Sequence, residues 1–473
     1  MESAGLWMLL TVAIVLLGSG LPAYAVLMGV SALFAAIGLL AGALDFGLLT
    51  ALPSRIIGLL ETDLLQALPL YVFMGALLNR LPLADRLFRC GVALGGTPAV
   101  ATLGLGALLA PMNGSVGASV AMLSRSIAPK LEARSVPAAE STALVCVAST
   151  LGVVIPPSLV LILLGDAMMR AHTEATNVTR EMVRIVNTQD VFRGALAPAA
   201  LFLLLSFALA WWSGRKSWRR STPEKPSVSE WATAIVAAVF VIGLLAAVAA
   251  GYFYAVEAAA MGGTALLLFG LATGGLKNGV FGHVLRDTMA VSGALFALFV
   301  AATTFTLLFR AFGTDRLLDA WVKLVPGGAT GAAITVLVVF ALCAFVLDAF
   351  EIVFVIVPIV MPSILTRAPD AVWISVLALL ALQASFLVPP SGYAVMMARS
   401  QMNQQTAIGP LARALAPYIG AQLLVLVLVV LVPQLAHLAE PKAANTLQNG
   451  PKLDDDAARS RFNDMLKLPP PEE

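Results

Sequence analysis

Two double prolines are the residues whose type and position point most directly to chemistry. Pro156-Pro157 and Pro389-Pro390 each interrupt an apolar segment that otherwise favours helix. Proline lacks the backbone N–H and its ring clashes with the carbonyl one turn back, so each pair opens a helix and frees carbonyl groups. Because lipid cannot satisfy those groups, backbone broken at membrane depth must be covered by protein or line a cavity. Two matched breaks therefore predict the substrate and ion site of a transporter.

Uncharged polar residues interrupt an apolar stretch in the first half of the chain. They are Asn113, Ser115 and Ser119, together with the glycines Gly114 and Gly117. Glycines let the chain turn sharply, and amide, hydroxyl and carbonyl oxygens are suitable ligands for a hard cation, of which sodium is the natural candidate. The alternative is close helix packing, which small residues also serve in membranes.

A pair of carboxylates lies in the corresponding part of the second half. Asp348 and Glu351 are three residues apart, so on a helix they share a face. They could bind a cation together or pair with Arg310 or Arg399. A carboxylate at a helix centre costs roughly 2.5 to 3.5 kcal/mol on insertion scales, which makes such residues functional candidates. The alternative is that they cap a re-entrant hairpin or hold two helices together.

Two other carboxylates in apolar sequence have simpler interpretations. Glu257 is predicted to be a buried carboxylate bonded to backbone N–H groups. Asp166 lies near the end of its apolar segment and is predicted to be interfacial.

An enzyme is an alternative from a different class. Gly114-Ser115-Val116-Gly117 resembles the surroundings of an intramembrane serine nucleophile, but such a serine needs a base within hydrogen-bond reach. The histidines, His172, His283 and His437, lie in polar segments or near the end of a helix. The sequence has no GxGD motif, Walker A loop or zinc-spaced His/Cys cluster. We therefore expect no enzyme activity, and expect ion coupling to drive transport, since an inward cation gains about 2.3 kcal/mol per 100 mV.

Membrane helices are the elements that must position these residues. The 473-residue chain is 59% hydrophobic and only 12% charged, with a mean hydropathy of +0.91. A soluble domain would carry about twice that charged fraction. Several apolar runs exceed the roughly 20 residues of one crossing, and together they predict about 10 to 14 membrane segments, counting re-entrant hairpins. The predicted class is an all-α polytopic integral membrane protein in contact with lipid, and no nucleic-acid partner is expected.

A basic loop divides the chain into halves of similar size. We predict a first membrane repeat at 1–213, a cytoplasmic linker at 214–230, a second repeat at 231–439 and a disordered tail at 440–473. The positive-inside rule places the linker in the cytoplasm because of its basic residues. These are Arg215, Lys216, Arg219, Arg220 and Lys225.

Both halves repeat one order of features. A helix is predicted to end near Arg80 in the first half and near Arg310 in the second, and a polar interruption and a double proline follow in each. The offsets between halves are 230 residues for the arginines and 233 for the prolines. Transporter repeats of this kind are often inverted about an axis in the membrane plane, which places the site at their interface.

The spaced motifs closely resemble those of the large membrane subunit of tripartite ATP-independent periplasmic (TRAP) transporters, the DctM-like family. The matching segments are 107–166, 190–196, 257–262, Leu347-Asp348 with Glu351-Ile352, and 383–390. The last two resemble the branch often labelled mannitol/chloroaromatic-type. The resemblance covers roughly residues 5–435.

The resemblance implies an elevator-type secondary transporter of the bacterial inner membrane, with re-entrant hairpins and discontinuous helices. It also implies sodium-coupled import of a small organic anion, a carboxylate, delivered by a periplasmic binding protein. A small four-helix membrane subunit is the implied partner, and sodium is the coupling ion with no other cofactor. The alternatives are a stand-alone ion-coupled anion transporter without a binding protein and, from other classes, a membrane scaffold or a membrane-embedded enzyme.

Sodium sites in the family lie where hairpin tips meet broken helices. Mapped onto this sequence, the implied substrate and ion site comprises Asn113, Gly114, Ser115, Gly117, Ser149, Thr150, Gly152, Pro156, Pro157, Asp348, Glu351, Ser385, Pro389 and Pro390. The implied sodium ligands are Asn113, Ser115, Ser149, Asp348 and Ser385. The chain departs from the family in two places. It has Phe-Tyr-Ala-Val-Glu at 253–257 where the family usually has Thr-Pro-Thr-Glu, and Met-Asn-Gly-Ser at 112–115 where a small, Thr- or Ser-rich turn is commoner.

Overall fold

Helices account for all the regular structure in the part of the chain that is described. The computed structural model describes residues 3–61, 63–94, 97–179, 186–218, 226–402 and 406–440. No strand occurs within these ranges. The predicted all-α class is therefore confirmed.

The first half contains helices α1 to α12. Their bounds are α1 Ala4–Ser19, α2 Ala23–Leu40, α3 Phe46–Thr50, α4 Leu52–Leu60, α5 Asp63–Arg80, α6 Leu83–Ala93, α7 Pro98–Leu109, α8 Val116–Ser126, α9 Ala128–Ala133, α10 Ala138–Val154, α11 Leu159–Thr179 and α12 Thr188–Trp218. A 3₁₀ turn at Pro111–Asn113 joins α7 to α8. The polar stretch 170–193 is helical where α11 continues to Thr179 and where α12 begins at Thr188.

The second half contains helices α13 to α22. Their bounds are α13 Val228–Ala250, α14 Ala255–Ala272, α15 Val280–Ala311, α16 Thr314–Leu324, α17 Gly328–Cys343, α18 Ala349–Glu351, α19 Val357–Leu365, α20 Ala371–Leu387, α21 Tyr393–Gln401 and α22 Ile408–Leu431. A π-helical segment, Ile352–Ile356, lies between α18 and α19, and a 3₁₀ turn, Pro433–Ala436, follows α22. Residues 219–225 of the predicted linker and 441–473 of the predicted tail lie outside the described residues.

Seven described segments are long and apolar enough to cross a membrane, or eight if the bent pair Leu65–Arg80 and Leu83–Ala93 counts as one span. The seven are Ala23–Leu40, Ala138–Thr179, Thr188–Gly214, Val228–Ala250, Ala255–Ala272, Val280–Ala311 and Ile408–Leu431. Shorter apolar helices, among them α7 and α17, have 10–17 residues. At 1.5 Å rise per residue, the 12 residues of α7 reach about 18 Å, too short for the roughly 30 Å hydrocarbon core. These lengths fit a polytopic protein in which some helices cross the membrane fully and others only partly. The predicted 10 to 14 membrane segments counted full crossings and re-entrant hairpins together.

Both predicted helix breaks occur at the double prolines. α10 ends at Val154 and α11 begins at Leu159, while α20 ends at Leu387 and α21 begins at Tyr393. Both Pro–Pro peptide bonds are cis. The segment Ala138–Thr179 still forms one apolar span of 42 residues, 94% buried over its most apolar window. α10 and α11 are therefore the two parts of a discontinuous helix.

The order of elements is the same in the two halves. α5 ends at Arg80, and α15 ends one residue past Arg310, as the sequence predicted. Each is followed by an amphipathic helix of 11 residues, α6 or α16. A short apolar helix then leads into a turn, and a buried helix of 17 residues, α10 or α20, ends at each proline pair. Every residue of α20 is buried, so this helix lies at the centre of the protein.

A histidine between two carboxylates ties the chain after α22 to the beginning of α20. Asp370 caps α20 by accepting the Trp373 N–H at 3.0 Å, and the Trp373 indole donates to the Val429 carbonyl at 2.8 Å. His437 contacts Asp370 through Nε2 at 2.7 Å and Glu440 through Nδ1 at 2.9 Å. The protonated imidazole can donate both N–H groups at once, which the neutral ring cannot.

We expect this contact to make stability depend on pH. The hydrogen bond to Asp370 is the largest cause that raises the pKa of His437 from 6.5 to about 9. Its stabilisation is complete below pH 6.5 and is lost as pH rises through about 9, because the folded state then releases the proton it held more tightly. Thermal unfolding between these limits should show this loss in the wild type but not in His437→Gln. Replacing the exposed His283 with Gln is the control, and a parallel loss in His437→Gln would contradict the assignment.

Candidate ion and substrate site

Small residues let α7 and α10 pack with their backbones in contact. A Cβ atom added to Gly106 would lie 2.6 Å from the Ala148 carbonyl oxygen, and one added to Gly152 would lie 2.6 Å from that of Ala110. Gly106 therefore meets Ala148, and Ala110, the residue directly after α7, meets Gly152. Each side of the contact supplies two small residues four positions apart, a spacing that permits close crossing in membranes. It brings the turn after α7 beside the C-terminal end of α10, which precedes the first proline pair.

The turn between α7 and α8 is a buried polar loop. Gly114 has φ +75°, in the left-handed region that glycine adopts without strain. Ser115 caps α8 by accepting the Ala118 N–H at 3.1 Å. Asn113 is only 3% exposed, and its Nδ2 donates to Ser119 Oγ at 3.3 Å. Its Oδ1 is buried and, among the described residues, has no hydrogen-bond partner.

The helix that packs against this turn, α10, carries two buried hydroxyl groups whose own hydrogen bonds leave lone pairs free. Ser149 and Thr150 are fully buried, and they donate to the carbonyls of Val145 at 2.6 Å and Val147 at 2.9 Å. Each hydroxyl oxygen still has lone pairs after donating its proton. Together with Asn113 Oδ1, they provide uncharged oxygens of the kind that bind a hard cation.

Asp348 and Glu351 form a reciprocal cap at the start of α18. Asp348 Oδ1 accepts the Glu351 N–H and Glu351 Oε2 accepts the Asp348 N–H, both at 2.9 Å. This is the capping geometry that the sequence left open as the alternative, and one oxygen of each carboxylate takes part in it. The suggested pairing with Arg310 is wrong, because Arg310 binds Glu174 at 2.7 Å and donates to the Pro358 carbonyl at 2.9 Å. A cation-binding role for the two carboxylates stays a prediction.

Tyr393 connects the two halves of the site. It is the first residue of α21, after the second proline pair. Its hydroxyl would lie 2.8 Å from a Cβ atom added to Gly117, which lies in the first turn of α8. The beginning of α8 and the beginning of α21, which belong to opposite halves of the chain, therefore meet at this side chain. Sequence reasoning missed Tyr393, although its position directly after a helix break was a usable signal.

The second broken helix carries buried polar groups near its end. Ser385 is 5% exposed and donates to the Ala381 carbonyl at 2.8 Å, four residues before Pro389-Pro390. Gln383 is fully buried, and neither its Oε1 nor its Nε2 has a hydrogen-bond partner in the described part of the chain. Sequence reasoning missed Gln383 as a site residue, although an amide inside an otherwise apolar run is a usable signal.

The remaining carboxylates have structural surroundings. Glu257 accepts the Tyr254 N–H at 2.9 Å, as predicted, but it is exposed rather than buried. Asp166 forms an ion pair with Arg170 at 3.0 Å on the same helix. Pro156 and Pro157 lie in the gap before Leu159, whose Cδ2 would be 3.8 Å from a Cβ atom at Gly114.

Comparison with known proteins identifies relatives over most of the chain. The family model "Tripartite ATP-independent periplasmic transporter, DctM component" matches residues 10–435. The isethionate TRAP transporter permease protein DctMQ of Oleidesulfovibrio alaskensis is 25% identical over 78% of this chain, but the match spans only 57% of that protein. The C4-dicarboxylate TRAP transporter large permease protein DctM of Rhodobacter capsulatus is 23% identical over 79% of this chain and 86% of its own length. The ectoine TRAP transporter large permease protein TeaC of Halomonas elongata is 22% identical over 79% and 85%.

The fold is similar to that of a solved transporter. The crystal structure of the YdaH transporter from Alcanivorax borkumensis aligns with a TM-score of 0.57 over 84% of this chain and 91% of that one, at 16% identity. The apolar helices and the family match make this a multi-pass protein of the bacterial inner membrane. The chain belongs to the DctM family and is a large permease subunit of a TRAP transporter.

Proposed function

We propose that this permease imports a small organic anion together with sodium. The observation that carries the proposal is the meeting of two interrupted elements from opposite halves at Tyr393, together with the unpartnered Asn113 Oδ1 in the turn before α8. A buried amide oxygen without a partner costs roughly 1 to 3 kcal/mol, and a bound cation would remove that cost. Asn113, Ser115, Ser149, Asp348 and Ser385 are the proposed sodium ligands.

The proposed substrate is a carboxylate. Relatives are named for isethionate, a C4-dicarboxylate and ectoine, so members of the family serve several small polar solutes. The mannitol/chloroaromatic-type branch stays a prediction. We infer that a periplasmic binding protein delivers the anion, as the family's tripartite name implies.

We further propose an elevator movement by inverted repeats, with a small four-helix subunit bracing the part that stays still. α1, α2, α5, α14 and α15 contact one another and form one group of helices, while α7, α8, α10, α20, α21 and α22 form another. α1 and α2 expose apolar side chains, among them Trp7, Ile14 and Ile37. Gly29 has open space around it. This surface is the proposed contact for the small subunit.

Reconstitution tests the proposal directly. Proteoliposomes containing both membrane subunits should take up a radiolabelled C4-dicarboxylate only when a cognate binding protein and an inward sodium gradient are both present. Uptake by the large subunit alone would favour the stand-alone transporter. Equal uptake with potassium replacing sodium would refute the sodium coupling.

Asp348→Asn separates a ligand role from the capping role. Asparagine keeps a side-chain oxygen for the Glu351 N–H but removes a negative charge, so the cap should persist while cation affinity falls. We expect the sodium concentration for half-maximal uptake to rise, with thermal stability little changed. Superimposable sodium titrations of the variant and the wild type would remove Asp348 from the proposed ligands.

A further inference from the structure

A charged cleft lies between α11, which follows the first helix break, and three elements of the second half: α15, the π-helical segment and the beginning of α19. Its volume is about 300 Å³. The charged residues of its wall are Asp166, Arg170, Glu174 and Arg310, and Thr303 and Thr306 supply hydroxyl groups. The rest is apolar and includes Phe299 and Phe354, whose rings pack edge to face at 5.1 Å. A polar wall facing an aromatic one is the usual composition of a small-molecule site.

Two guanidinium groups in this cleft are held by carboxylates of the protein itself. Arg310 binds Glu174 across the two helices, with Nη1 2.7 Å from Oε1 and Nη2 2.8 Å from Oε2. Arg170 binds Asp166 one turn back on α11. The Arg310 and Glu174 side chains are 29% and 39% exposed, and both line the cleft, so the pair is open to it. Such a pair can exchange its carboxylate for one from solution.

We propose that this cleft is the organic-anion site, in which a substrate carboxylate or sulfonate replaces Glu174 on Arg310. The bidentate contact with Glu174 shows that the guanidinium fork presents two N–H groups to one planar anion, the geometry that favours Arg for carboxylate recognition. The bond from Nη2 to the Pro358 carbonyl holds the fork toward the cleft. Arg170 supplies a second cation for the far end of the ligand.

Two further features of the cleft fit a ligand. Thr306 Oγ1 is buried and has no hydrogen-bond partner among the described residues, so it is available to an anion's oxygen. Val353 and Phe354 belong to the π-helical segment, a local distortion that is frequent at functional sites. That segment begins directly after Glu351, so the cleft follows the Asp348–Glu351 cap along the chain.

This inference rests on the proposed function for its choice of substrate class, but its test does not depend on transport. The thermal unfolding of the full-length protein in mild detergent would be followed while succinate, isethionate or ectoine is titrated against chloride at constant ionic strength. We expect at least one probe to stabilise the wild type. In Arg310→Gln the half-saturating concentration should rise roughly tenfold or more, because hydrogen bonds to a charged group are lost. In Glu174→Gln it should fall, since the competing carboxylate is gone.

Arg80→Gln is the matched control, because Arg80 occupies the equivalent helix end in the first half and its pair with Asp287 is similarly exposed. It should bind the probe like the wild type. If Arg310→Gln does not fold, Glu174→Gln and Arg310→Lys carry the test. An unchanged half-saturating concentration in Glu174→Gln, or no stabilisation of the wild type by any probe, would overturn the site. Retained binding that depends on Arg310, without sodium-driven uptake, would refute the proposed function and leave this site standing.

Discussion

Replacing Pro156 and Pro157 together with alanine is expected to reduce uptake to the level of protein-free liposomes while the protein still inserts into the membrane. In the wild type, α10 stops at Val154 and α11 starts at Leu159. Alanine restores the missing N–H groups and removes the ring clash, so a continuous helix can form across the gap. Carbonyl groups that the break leaves free would then accept hydrogen bonds within the helix and would no longer be available to the site. Sodium-driven uptake in proteoliposomes is the measurement.

Pro417→Ala is the matched control for this variant. Pro417 lies inside α22, which continues past it without a break. Its replacement changes one proline in an apolar helix without closing a gap, so transport should be retained. Normal uptake by the Pro156/Pro157 variant would show that the broken backbone is not part of the transport mechanism.

Gly152→Ala is also expected to lower transport activity strongly, by a different route. The new Cβ atom would lie 2.6 Å from the Ala110 carbonyl oxygen, which belongs to the backbone and cannot swing away. Either α7 or α10 must move, and overpacking of this kind costs typically about 1 to 3 kcal/mol. The turn that carries Asn113 would shift relative to α10, and we expect uptake to fall by roughly tenfold or more.

Gly104→Ala tests whether the effect comes from that contact. Gly104 lies on the same helix as Gly106, and no atom lies within 4 Å of its added Cβ position. Because alanine favours helix over glycine by up to about 1 kcal/mol, this variant should be as stable as the wild type or more so. Equal uptake by the Gly152→Ala and Gly104→Ala variants would mean that the close approach of α7 and α10 is unimportant.

Local chemistry made several features predictable from the sequence. Composition placed the chain in the membrane, because apolar runs of this length have no other stable environment. The predicted helix ends at Arg80 and near Arg310 and the predicted breaks at both proline pairs are all present. The breaks follow from neighbouring residues alone, since proline disrupts its own turn of helix. The same spaced motifs were sufficient to indicate the family, which the match over residues 10–435 confirms.

Contacts between distant residues were decided only by the tertiary structure. Arg310 pairs with Glu174, which is 136 residues away in the sequence, and not with Asp348, which is closer to it along the chain. Glu257 retains its predicted backbone bond but lies at the surface. Tyr393 approaches Gly117, which lies in the other half of the chain. Helical periodicity shows which side chains share a face, but the neighbour of that face depends on where and at what angle helices cross. In this protein the crossing of α7 and α10 is set by the absence of side chains at Gly106 and Gly152, so the position of the site depends on the packing of the whole helix group.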